Sequence, residues 1–168
     1  MGWLEKGVRY LENALAVTLL SAIIVDVLLE VYFRYVLSNP LSWSAEVATY
    51  MFAWLTMIGI AIAQRDHSHI EVRFFSHLSD AAGIATAWIS WTTSLLFFVM
   101  LAFGGYLFSS GSAIEEGAAT GLPLWVAYAC LPAGAILGVY HTLTDLPALI
   151  RSPLTLGAAH HPEEDIAA

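Results

Sequence analysis

The chain has 168 residues, 58% of them hydrophobic and 12% charged, against about 45–50% apolar and about 25% charged in soluble domains; residues 81–114 and 117–144 each exceed the roughly 18 uncharged residues that mark a membrane span, which excludes an ordinary soluble enzyme. A formal charge of −8, from 6 Lys and Arg against 14 Asp and Glu, leaves no basic footprint for nucleic acid. The single cysteine, Cys130, excludes an intrachain disulfide and a cysteine-based metal site.

In chain order, Trp3, Leu4, Val8 and Leu11 recur at helical spacing among Glu5, Lys6, Arg9 and Glu12, predicting an interfacial amphipathic helix over about 3–11. The first span follows over about 13–37. No small-residue cleavage pattern follows Val25, so it reads as an uncleaved helix rather than a signal peptide. Further spans are predicted over about 45–64, 82–108 and 122–146, each long enough at 1.5 Å per residue to cross about 30 Å of hydrocarbon. Ser38-Asn39-Pro40, Ser109-Ser110-Gly111-Ser112 and Gly121-Leu122-Pro123 supply the breaks. Between spans two and three, Ile70, Phe74, Phe75 and Leu78 form one stripe, predicting a second interfacial helix over about 69–79. The expected fold is therefore an all-α integral-membrane domain over 1–150 with four transmembrane helices, followed at 151–168 by a disordered tail carrying Glu163, Glu164 and Asp165.

Lys6, Arg9, Arg65, Arg73 and Arg151 fall on one side of this topology and Arg34 on the other, so the side that carries both termini is expected to be cytoplasmic. Span one contains Asp26, Glu30 and Arg34 at i, i+4 and i+8, on one side of the helix. About 14 Leu, Ile, Val and Phe favour its insertion by roughly 4–8 kcal/mol, while each central ion opposes by roughly 2.5–3.5 kcal/mol. The stripe therefore needs a polar neighbour. No facing polar groups on spans three and four extend it into a path, so it is expected to face another subunit rather than to conduct. Glu46 sits in the first turn of span two, where a carboxylate complements the helix N-terminus. A link from Arg34 to Glu46 across the hairpin and two independent interfacial charges are equally compatible with the spacing. His141 lies inside span four with Asp145 one turn later as its expected partner; His67 and His69 are two apart and share no helical face, so no metal or haem site is expected. No nucleophile elbow, Walker loop or HExxH helix occurs, so no catalytic residue and no enzyme is expected.

The order Arg34-Tyr35-Val36, Asn39-Pro40-Leu41, Trp43-Ser44, Glu46, Gly59, Ala61, Ala63, Arg65 and His69-Ile70 resembles the small permease subunit, DctQ type, of tripartite ATP-independent periplasmic (TRAP) transporters. The resemblance covers roughly residues 1–150, with two departures: Ala45 stands where the family often has an acid, and Arg73 where it often has Asp. It implies Tyr35, Asn39, Pro40, Trp43, Gly59, Arg65 and His69 as motif positions. It also implies an inner-membrane location and membership of a complex with a large permease subunit and an extracytoplasmic solute-binding protein. The implied activity is sodium-driven uptake of an organic solute, often a carboxylate, with sodium and substrate held by the large subunit and no cofactor here. A self-contained homo-oligomeric ion or proton channel, lined by Asp26 and Glu30, and a structural anchor for another complex are the alternatives.

Overall fold

The computed structural model describes residues 3–74 and 80–158. It is all-helical: α1 (Trp3–Tyr35), α2 (Ser44–Phe74), α3 (Asp80–Gly111), the single turn α4 (Trp125–Tyr128) and α5 (Cys130–Ala158). Four helices are long and apolar enough to cross a membrane, so this is a multi-pass membrane protein. The expected surface helix over 3–11 and the first span form one unbroken helix of 33 residues, about 50 Å long at 1.5 Å per residue. Glu5, Lys6 and Arg9 extend a helix whose hydrogen bonds are already made, and no Gly or Pro pair interrupts it. Likewise α2 runs past the expected end of span two to Phe74; of the expected helix over 69–79, residues 75–79 lie outside the described residues. At the far end, 151–158, expected as tail, continue α5, and 159–168 lie outside the described residues.

The α1 helix ends where Ser38 takes a left-handed conformation (φ 52°) and the Asn39 N–H reaches back to the Phe33 carbonyl at 3.0 Å. Pro40 then bars further helix. The interruption between α4 and α5 has a similar cause: Pro132 has no N–H to offer the Tyr128 carbonyl four residues earlier.

Packing follows the row α1–α2–α5–α3. The α1 helix lies along α2 alone, α5 lies between α2 and α3, and the consecutive helices α2 and α3 barely meet. In its most apolar stretch α5 is 39% buried against 6% for α1, which makes α5 the core and α1 an edge. Small residues permit this. Ala61 and Ala135 are fully buried, and a Cβ on Gly134 would stand 2.7 Å from Met57 Cβ and 3.1 Å from the Met57 carbonyl oxygen, so the α2–α5 crossing requires glycine. Two indoles tie the helices together, Trp54 Nε1 of α2 donating to the Val126 carbonyl of α4 at 3.0 Å and Trp91 Nε1 of α3 to the Thr142 carbonyl of α5 at 2.7 Å.

The outer surface is apolar, while the interior mixes apolar residues such as Ile58, Phe98 and Leu149 with buried polar ones. On α1, Leu20, Ile24, Leu28 and Val31 are exposed. Glu12 and Asp26, two heptads apart on the stripe facing α2, are buried at 2% and 7% exposure. Lipid satisfies the first set; only protein can satisfy the second.

Candidate functional site

Three of the carboxylates on α1 and α2, Glu12, Asp26 and Glu46, each form a clasp. Near the start of α1, Glu12 joins α2 and α5. Its Oε2 accepts from Arg65 Nη1 at 2.7 Å and its Oε1 stands 2.5 Å from His141 Nε2. An ionised carboxylate is acceptor-only, so this geometry requires the imidazole proton on Nε2. Arg65 also reaches Asn13 Oδ1 at 3.4 Å and Asp66 Oδ1 at 3.0 Å. The Arg65 side chain is 11% exposed and that of Asp66 57%, so the guanidinium is buried against Glu12 and wet towards Asp66. His141 thus pairs with Glu12, 129 residues away, where the sequence pointed to Asp145 one turn later.

At the opposite end, the Ser44 hydroxyl at the start of α2 donates to Asp26 Oδ2 at 2.8 Å in a buried bond. Asp26, expected to face another subunit, is therefore covered within this chain. Glu30 and Arg34 pair with each other one turn apart on α1, with the Arg34 side chain 54% exposed.

Glu46 forms the third clasp, not with Arg34 but with the loop between α3 and α4. Its Oε1 accepts from the Tyr50 and Thr120 hydroxyls, both at 2.7 Å. Its Oε2 accepts from the backbone N–H groups of Ala119 at 2.8 Å and Thr120 at 3.3 Å. The loop is folded to fit. Gly117 N–H bonds the Leu122 carbonyl at 2.8 Å, Leu124 N–H bonds the Glu115 carbonyl at 2.9 Å, and Gly121 turns the chain with φ +66°. A Cβ on Gly117 would fall 1.5 Å from Glu46 Oε1, so glycine there makes room for the carboxylate. Four donors on one carboxylate leave it no capacity for Arg34.

The remaining motif positions scatter. Tyr35 closes α1 and is largely exposed, Trp43 is 41% exposed just before α2, and Gly59 meets nothing within 4 Å on the open side of α2. Arg65 is the one that joins a clasp. His69 lies in α2, with its side chain outside the described residues. Among the described residues no group of three His, Cys, Asp or Glu side chains converges on a metal-sized site.

The family described as "Tripartite ATP-independent periplasmic transporters, DctQ component" matches residues 23–152. The chain belongs to the DctQ family. It is a small permease subunit of the TRAP type, a transport component and not an enzyme. It is 28% identical over 163 residues to the sialic acid TRAP transporter small permease protein SiaQ of Vibrio cholerae, covering 93% of this chain and 90% of that one. It is also 25% identical over 169 residues to the C4-dicarboxylate TRAP transporter small permease protein DctQ of the same organism, covering 82% of this chain and 71% of that one. A third relative, the sialic acid TRAP transporter permease protein SiaT of Haemophilus influenzae, is 27% identical over 137 residues. That match takes in 80% of this chain but 22% of SiaT, so a segment like this DctQ-family chain occurs within a much longer permease polypeptide. The match to SiaT points to a large permease as the partner.

Glu12 is the residue that the sequence reading left among the polar positions of a surface helix. A signal existed: stepping back from Asp26 by seven residues twice passes Leu19 and lands on Glu12, on the same helical stripe. Its partners on α2 and α5 carry no such periodic mark.

Proposed function

We propose that this chain is the fixed small subunit of a sodium-driven, binding-protein-dependent importer of an organic solute, of which a carboxylate is the best-represented class. It sits in the inner membrane with both termini in the cytoplasm, the side favoured by Lys6, Arg9, Arg65, Arg73 and Arg151. Sodium and solute bind in the large permease, and the loop held by Glu46 faces the compartment of the solute-binding protein. One observation carries this reading: four carboxylates of the first two spans are engaged in bonds inside the chain. Asp26 is taken by Ser44, Glu12 by Arg65 and His141, Glu46 by the α3–α4 loop, and Glu30 by Arg34. Groups locked in this way hold helices together; a conducting route needs weakly held sites that follow one another. The three clasps fix α1, α2 and α5 and the α3–α4 loop as one static body, against which a partner's moving part can work.

The reading is tested by co-expressing the chain with the large permease, purifying in mild detergent and weighing the complex by native mass spectrometry. A complex of the two chains is expected. A homo-oligomer of this chain that excludes the permease would overturn the proposal in favour of the channel alternative.

A further inference from the structure

Where α2 and α3 diverge, an open groove of about 480 Å³ runs between them, lined by Ile60, Ala63 and Gln64 on one side and Thr93, Ser94 and Phe97 on the other. Elsewhere in the spans, several hydroxyls bond back to their own helix, as Ser21 does to Val17, Thr49 to Ala45, Thr56 to Phe52, Thr92 to Trp88 and Thr142 to Gly138. Among the described residues, the side chains of Gln64, Thr93 and Ser94 make no hydrogen bond. Three polar groups with unused donors and acceptors therefore converge on one groove within the span region.

We infer that this groove seats a transmembrane helix of the large permease that presents a polar side chain to Gln64, Thr93 and Ser94. The inference rests on the proposed function above and adds the place of contact. Lipid tails cover the exposed leucines, valines and isoleucines of α1 at no cost, because hydrocarbon is as apolar as they are. They offer nothing to an amide or a hydroxyl, so polar groups inside a membrane favour contact with another polypeptide. A single hydroxyl such as Thr18 on α1 is weak in this respect, whereas an amide and two hydroxyls lining one concavity form a matching surface. The groove also continues onto the open side of α2, where Gly59 meets nothing within 4 Å and Ala63 is exposed, so a second backbone can approach closely. The occurrence of a similar segment inside the longer SiaT polypeptide supplies a partner of the required kind.

The test uses the co-purified complex with a photoreactive benzoylphenylalanine at Ala63 or Phe97, and at Leu28 on α1 or Val99 on α3 as controls. Val99 lies two residues and about 200° around the helix from Phe97. Adducts between this chain and the large permease, identified by peptide mass spectrometry, are expected from Ala63 and Phe97 in clear excess over Leu28 and Val99. A second measurement replaces the three polar groups together (Gln64→Leu, Thr93→Val, Ser94→Ala). Because these groups make no bond within the chain, the fold of the free chain is unchanged, while affinity for the permease falls about tenfold. Equal or greater yield from the controls, or a triple variant that binds as tightly as the native chain, overturns the placement while the partnership stands. If the native chain does not co-purify with the permease at all, the proposed function falls and this inference with it.

Discussion

Replacing Glu12 with glutamine removes the negative charge on which the α1–α2–α5 junction depends. The side chain is 2% exposed and serves Arg65 at 2.7 Å and His141 at 2.5 Å. Removing one partner of a buried pair costs about 3–5 kcal/mol, because the other charge is left uncompensated. Asp66 remains 3.0 Å from Arg65, but at 57% exposure it returns no more than about 1 kcal/mol. The net loss is about 3 kcal/mol, or about 6–12 °C of melting temperature for a domain of this size. The α1 helix has little apolar packing to absorb it, since its backbone runs close to α2 alone and a cavity of about 220 Å³ separates its Leu15 and Leu19 from Leu137 of α5. Thermal unfolding in mild detergent, followed by tryptophan fluorescence, reads the change. The double variant Glu12→Leu, Arg65→Leu removes both charges and regains part of the loss, because an apolar pair needs no desolvation, while the His141 imidazole, left without its acceptor, holds back the rest. A Glu12→Gln protein that melts within about 2 °C of the native one, or a double variant less stable than the single, would refute the buried-pair reasoning.

Glu46→Ala releases the α3–α4 loop, so hydrogen exchange at the Ala119 and Thr120 amides accelerates by about tenfold or more; Arg34→Gln leaves those amides unchanged, whereas an Arg34–Glu46 link would make both variants alike. Gly134→Ala forces a methyl against Met57 and costs about 1–3 kcal/mol by overpacking, while Gly59→Ala, with open space at its Cβ, leaves the melting point of the free chain unchanged or raises it slightly; paired melting curves check both. Asp26→Asn keeps an acceptor for the Ser44 hydroxyl and stays within about 1 kcal/mol of the native protein, with assembly and uptake retained; loss of ion dependence in an assembled complex would show that Asp26 conducts.

The four spans were legible because apolar runs of this length have one physical use, and the breaks were legible because Ser38-Asn39-Pro40 and Gly121-Leu122-Pro123 carry backbone chemistry that is local. The helix ends were less so. Once its hydrogen bonds are under way a helix runs on through Glu5 and Lys6, or from Asp66 to Phe74, without any apolar requirement. The clasps were legible in residue type but not in partner. Glu46 was placed in the first turn of α2, yet the loop that holds it lies 73 residues away at Ala119, and no spacing rule connects the two. His141 is legible as a residue within a span, and its nearest acid in sequence is Asp145; the fold brings it Glu12 from the other end of the chain. Asp26 was read as needing cover, and the cover came from Ser44, a residue too common in turns to signal its role.

In this reading the chain supports transport without conducting by itself. Purified chain reconstituted in liposomes under a sodium gradient, with and without the large permease and the binding protein, measures this directly through flux of labelled solute and of sodium. No flux is expected from the chain alone, and solute uptake when all three components are present. Sodium or proton flux through the chain alone would contradict it.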